Sequence, residues 1–322
     1  MSAIQLNERS LGLVHRLTAD PDGFDVAVDT LADGTVVVDA GITVRGSLEA
    51  GMLTAEACLG GLGCVDFCEG SPDAASLPVV QVRVGRPVLA CMASQYAGWA
   101  VSLKGSGGGK FFAMGSGPAR ALYRGEALFA GIAHTETSAN AVLILEGRQP
   151  PTAEVAAMIA KACRIEASRL FLIVAPTASL VGSVQIAARV VETGMHKLHE
   201  LGFPLDAVAS GFGTCPLAPV AADDLKAVGR TNDAVLYGGK AWYTVDCPDE
   251  DIERVLAQIP SCASRDHGTL FYELFKRYGG DFYKIDPMLF SPAQVFFNNV
   301  RTGRCFTAGK TSPELLRESF GL

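Results

Sequence analysis

No Cys-x-x-Cys pair occurs in this 322-residue chain, although it has nine cysteines: Cys58, Cys64, Cys68, Cys91, Cys163, Cys215, Cys247, Cys262 and Cys305. That absence excludes a zinc ribbon and a thioredoxin-type redox motif. Thiols scattered in this way fit a reducing cytoplasm, where free cysteine behaves as a small buried hydrophobe. A basic excess is also missing: 34 acidic residues stand against 27 basic ones, for a net charge of -7. A nucleic-acid partner is therefore not expected. No apolar run approaches the length of a membrane span. The stretch from Met1 to Asp20 is broken by Glu8, Arg9, His15 and Arg16, so it is not read as a signal peptide. A cytoplasmic location follows as the expectation.

Nucleotide signatures are absent too. Lys104 to Lys110 resembles a phosphate-binding loop but has Lys104 where glycine is required, and Phe111 follows Lys110 in place of Ser or Thr. Gly61-x-Gly63, Gly115-x-Gly117 and Gly211-x-Gly213 each lack the last glycine of a dinucleotide fingerprint and read as turns.

What the chain does have is apolar material, 49% against 19% charged residues, enough for a sizeable core. Its pattern predicts a mixed α/β fold. Helices are expected at Leu6–Leu17, at Ser47–Leu59, at Thr152–Ala167 with Thr152 as cap, and near Leu270–Tyr278, with a C-terminal helix opened by Ser312 and Pro313. Ala178–Leu201 gives the longest helical pattern. Strands are expected at Phe24–Val28 and Thr35–Asp39 around the Asp33-Gly34 turn, at Val79–Val84 and Val88–Met92, at Asn140–Leu145, and at the apolar run Leu170–Val174. Ser102–Gly117 and Ser210–Pro216 read as glycine-dense loops. Pro150-Pro151 suggests a division into lobes 1–149 and 150–322.

Several clusters could carry chemistry. Glu192, His196 and His199 share a helix face, but the His-Glu-x-x-His arrangement is absent, and a solvated helix end is the better reading. Tyr272-x-x-x-Lys276 has the spacing of a catalytic tyrosine–lysine pair, yet its apolar neighbours favour an ordinary surface helix. No metal is expected. Lys104 and Lys110 could help a glycine-lined cradle bind an anionic substrate tail, or simply flank a surface loop. Arg189 and Glu192, three apart among Ile186, Ala187, Ala188, Val190 and Val191, are either a buried structural ion pair or a catalytic acid–base pair.

Five strings then stand in order: Ala90-Cys-Met-Ala-Ser-Gln-Tyr-Ala-Gly-Trp99, Phe112-Ala-Met-Gly-Ser-Gly-Pro-Ala-Arg120, Ala207-Val-Ala-Ser-Gly-Phe-Gly-Thr-Cys-Pro216, Gly229-Arg-Thr-Asn-Asp-Ala234 and Phe282-Tyr-Lys-Ile-Asp286. Together they resemble the methenyltetrahydromethanopterin cyclohydrolase family along nearly the whole chain. The resemblance implies two α/β lobes around a deep inter-lobe pocket, a homotrimer and no bound cofactor. It implies hydrolysis of 5,10-methenyltetrahydromethanopterin to the 5-formyl form, in methanogenesis or formaldehyde oxidation. It maps the family's catalytic arginine and glutamate onto Arg189 and Glu192. Ser94, Gln95, Tyr96, Trp99, Ser116 and Arg120 become candidates for the pterin-binding wall. Lys104 and Lys110 are placed with the stretch up to Gly117 at the pocket mouth. The analogous folate reaction and a non-catalytic pterin-binding protein are the alternatives.

Overall fold

The structure is a computed structural model that describes residues 4–70, 76–104, 110–280 and 284–322. In chain order it contains helices α1 (Leu6–Ala19) and α2 (Pro21–Phe24), strands β1 (Ala27–Thr30) and β2 (Val36–Asp39), helix α3 (Leu48–Cys58), and strands β3 (Gly63–Cys68) and β4 (Val79–Val84). A π-helix follows over Val88–Gln95, then the strands β5 (Trp99–Lys104) and β6 (Lys110–Ser116), helix α4 (Ala119–Tyr123), strand β7 (Ala141–Glu146), helix α5 (Ala153–Cys163) and strand β8 (Leu170–Ala175). Helices α6 (Leu180–Ala187) and α7 (Val190–Glu200) lead to strand β9 (Val208–Pro216) and helix α8 (Asp224–Asp233). A second π-helix over Ala234–Gly238 precedes β10 (Lys240–Val245), α9 (Asp249–Leu256), α10 (Phe271–Arg277), β11 (Gln294–Asn299), β12 (Cys305–Gly309) and α11 (Pro313–Phe320).

The chain divides into two compact units, each made of two stretches. Met1–Gly63 and Leu89–Gln185 form the first, Cys64–Val88 and Ile186–Leu322 the second. The first unit is built on a six-stranded sheet of order β1-β2-β8-β7-β6-β5. Its central strands β2, β7 and β8 run parallel to one another. Both faces of β7 are buried, as in a parallel sheet covered by helices: Leu143 and Leu145 join one core with Val155, Ile159 and Cys163 of α5, while Val142 and Ile144 join Leu11, Val14 and Leu17 of α1 and Leu53 and Ala57 of α3. A strand buried on both faces must be apolar throughout, as Leu170–Val174 is. Helix starts follow their caps. The Ser47 hydroxyl accepts from the Ala50 amide at 3.0 Å, and Thr152 accepts from Val155 at 3.4 Å.

The second unit carries a sheet of order β12-β11-β10-β9-β4-β3. Helix α7 packs on β9, β10 and β4. Here several sequence expectations are corrected. Ser210–Pro216 is not a loop but most of strand β9, and Gly211 and Gly213 are not in a turn. A Cβ at Gly213 would stand 2.6 Å from Val190, and one at Gly211 would stand 2.6 Å from Val191. Those two glycines let α7 lie close on the sheet. Ala178–Leu201 is two helices rather than one, with the break at Ala188 and Arg189. Val88–Met92 belongs to a π-helix rather than a strand, and Phe24 ends a short helix before the first strand. Of the glycine-dense stretch from Ser102, residues to Lys104 belong to β5 and Lys110–Ser116 to its antiparallel partner β6, with Lys104 opposite Lys110. Residues 105–109 of that stretch, and Phe282 and Tyr283 of the last motif string, lie outside the described residues.

Candidate active site

The break between α6 and α7 creates the setting for the central pair. Arg189 is the cap residue of α7, at φ -82° and ψ 0°, and its amide donates to Ile186 at 3.0 Å, a tight three-residue closure. Glu192 then sits in the first turn of α7, where a helix presents its unpaired N–H groups and its positive end. Arg189 Nη1 stands 3.7 Å from Glu192 Oε2. That distance makes an ion pair but is too long for a direct hydrogen bond. Both are nearly closed off from solvent, at 8% and 5% exposure. The Arg189 carbonyl accepts from both the amide and the hydroxyl of Thr193, each at 2.8 Å.

The neighbouring sheet fixes that first turn. The Tyr243 hydroxyl, on β10, donates to the Val191 carbonyl at 2.9 Å. It lies over Gly194, where a Cβ would stand 2.0 Å from the Tyr243 oxygen. At the far end, Lys197 is buried and donates to the Met288 carbonyl. Burial pushes its ammonium pKa down to about 8, against the opposing pull of Asp286 and Cys262. Sequence reasoning missed Tyr243, Gly194 and Lys197; the only signal on this helix was Gly194, a lone glycine in a helix interior. Of the histidines on this helix, His196 pairs with Glu200 at 3.5 Å and burial lowers its pKa. Among the described residues no group of three or more His, Cys, Asp or Glu is placed to hold a metal.

In the first unit, five more of the expected residues come together around the end of the first π-helix. The Ser94 hydroxyl donates to the Cys58 carbonyl at 2.7 Å. The Cys58 thiol donates to Ser116 Oγ at 3.2 Å and lies 3.9 Å from the Gln95 carbonyl. Arg120 Nη1 donates to the Ser94 carbonyl at 2.9 Å, and its guanidinium lies 5.2 Å from the centre of the Tyr96 ring. Trp99 is set apart from these: it is buried in the core on β5 and stacks on Tyr123 at 4.1 Å. Lys104 and Lys110 are exposed, Lys110 lying 5.9 Å from the Phe112 ring. Lys276 rests over the ring of Tyr272 at 4.1 Å, an ordinary helix-surface contact.

The chain as a whole is similar to known proteins. The family described as Cyclohydrolase (MCH) matches residues 5–320. The methenyltetrahydromethanopterin cyclohydrolase of Methanococcoides burtonii is 39% identical over 321 residues, covering 99% of each chain. That of Methylobacterium organophilum is 44% identical over 324 residues, covering 99% of this chain and 100% of the relative. That of Xanthobacter autotrophicus is 45% identical over 309 residues, covering 96% and 90%. With a match from end to end and identities of this size, the chain belongs to the methenyltetrahydromethanopterin cyclohydrolase family.

Proposed function

We propose that this chain opens the methenyl bridge of 5,10-methenyltetrahydromethanopterin by hydrolysis, with Glu192 moving the protons and Arg189 holding it in place. Membership of the family supplies the reaction. The observation that supports these roles is the buried Arg189–Glu192 pair on the first turn of α7.

The substrate needs little activation. Its methenyl carbon lies between two nitrogens that share a positive charge, so it is already electrophilic. Attack by water forms a carbon–oxygen bond and releases one proton, which Glu192 accepts as general base. The bond from that carbon to N10 then breaks, and Glu192 returns its proton to N10 as general acid. The remaining hydroxyl proton leaves to solvent as the formyl oxygen forms, so one water is consumed and one proton released. A single carboxylate serves both steps because they follow one another. Arg189, held at the helix cap, restricts the rotamers of that carboxylate and offsets its charge in a largely buried setting.

The test is loss of the methenyl chromophore, followed separately with the methanopterin and the folate carriers and in the presence of a chelator. Turnover of the methanopterin form, faster than of the folate form and insensitive to the chelator, is expected. A faster folate reaction would favour the folate alternative, and binding of either without turnover would point to a carrier protein. The chain is further proposed to work in the cytoplasm as a homotrimer; a monomeric mass by light scattering at micromolar concentration would count against the trimer.

A further inference from the structure

Arg120 is fully buried, and nearly every donor of its guanidinium is spent on protein. Nε donates to Glu126 Oε1 at 2.8 Å and Nη2 to Glu126 Oε2 at 2.6 Å, a two-pronged pair that fixes the plane of the group. Nη1 donates to the carbonyls of Met92 at 3.0 Å and Ser94 at 2.9 Å. Those carbonyls lie in the last turn of the π-helix Val88–Gln95, where the amide of Tyr96 closes a wide turn on the Cys91 carbonyl at 2.8 Å. A helix end leaves carbonyls with no partner further along the helix, and it attracts a cation. Arg120 supplies both the donors and the charge. The Gly117 amide adds a second donor to the Ser94 carbonyl at 2.8 Å. The rings of Tyr96 and Phe129 lie 5.2 and 5.4 Å from the guanidinium carbon.

We propose that Arg120 and Glu126 are positioning residues: Glu126 locks the Arg120 plane, and Arg120 caps the π-helix so that the half-buried Tyr96 is presented to the pterin in one orientation. The inference rests on the reading that Tyr96 lines the substrate, with Ser94 and Gln95 fully buried beneath it. It gives Arg120 a role behind that wall rather than on it. A wide π-turn is rare and is stable only where its surroundings over-determine it, which is what a bidentate pair plus two carbonyl bonds achieves. Lysine cannot replace Arg120 here, because a point charge does not hold a carboxylate and two carbonyls in a set plane.

Steady-state kinetics of Glu126→Gln, Glu126→Asp and Tyr96→Ala, each beside a melting curve, test the pair. The amide variant keeps the shape of Glu126 but turns one acceptor into a donor facing the guanidinium. KM is expected to rise about tenfold in Glu126→Gln, more than kcat falls, and to recover in part in Glu126→Asp, which restores the charge. A purely structural pair would lower the melting temperature and leave the KM of the folded enzyme unchanged. Should the amide variant fail to fold, the same reading is taken from the shorter acid. A folded variant at Glu126 with wild-type KM, while Tyr96→Ala raises it, overturns the positioning role. Wild-type KM in Tyr96→Ala overturns the underlying reading of the wall instead.

Discussion

Glu192→Gln is expected to lower kcat by about 10²–10⁴-fold while the protein stays folded, the range that a general acid–base group contributes. The amide matches the carboxylate in size and can still accept a hydrogen bond, but it can neither take the proton of the attacking water nor deliver one to N10. KM should move little, because the lost interaction belongs to the transition state. If the pair is only structural the outcome reverses: stability falls and the folded fraction turns over normally. A folded Glu192→Gln protein with near wild-type kcat would overturn the mechanism without touching the family assignment. Arg189→Ala is a less clean probe. It leaves a carboxylate of 5% exposure without its neighbouring cation, and breaking a buried pair can cost on the order of 3–5 kcal/mol, so its kinetics have meaning only beside a melting curve.

A second large effect is expected from pH. Asp233, at the end of α8, is 1% exposed, and burial pushes its carboxyl up to about 7 from an ordinary value of 3.8. The Ser319 hydroxyl at 2.6 Å and the Phe271 amide at 2.9 Å pull it down, and Glu318 pushes it further up. Because the folded value is raised, the folded chain holds this proton where the unfolded chain has released it. The associated stability is complete below about pH 4 and is lost as the pH rises through about 7, a change on the order of a few kcal/mol. Asp233→Asn removes the titration and keeps an acceptor for the Phe271 amide. The stability of the variant relative to the parent should therefore grow with pH across that window, measured by urea unfolding at each pH. Parallel curves would show that Asp233 does not titrate there.

Legibility in the sequence followed the locality of the cause. Ser47 and Thr152 announce helices because a cap acts within its own turn, and Leu170–Val174 announces a doubly buried strand because both faces must be apolar. The π-helix was not legible. Val88–Met92 is an apolar run like any strand, and the side chain that bonds the carbonyls at its end, Arg120, is distant in sequence. The break before α7 has no glycine or proline to mark it. Gly211 and Gly213 misled because glycine has two uses, to turn a chain or to admit a neighbour, and only the packing of Val190 and Val191 tells which. For the candidate site, the spacing of Arg189 and Glu192 was readable from the chain alone, and so was its apolar setting. Their place at a helix start was not. Nor was the contact of Tyr243, which belongs to strand β10, far along the chain.

The two-stretch make-up of each unit has a consequence for synthesis. Strand β4, Val79–Val84, leaves the ribosome early, but its antiparallel partner β9 pairs it through Gly211–Pro216, far downstream. Until then an apolar strand with alternate valines has an unsatisfied edge, the kind of surface that recruits wrong partners. Neither unit can be completed from one uninterrupted length of chain, so a truncated fragment ending near Gln185 would carry the β3–β4 pair without β9, the other partner of β4. Nascent chains of this protein should thus depend on holding factors through most of translation, and amino-terminal fragments should be poor candidates for soluble expression.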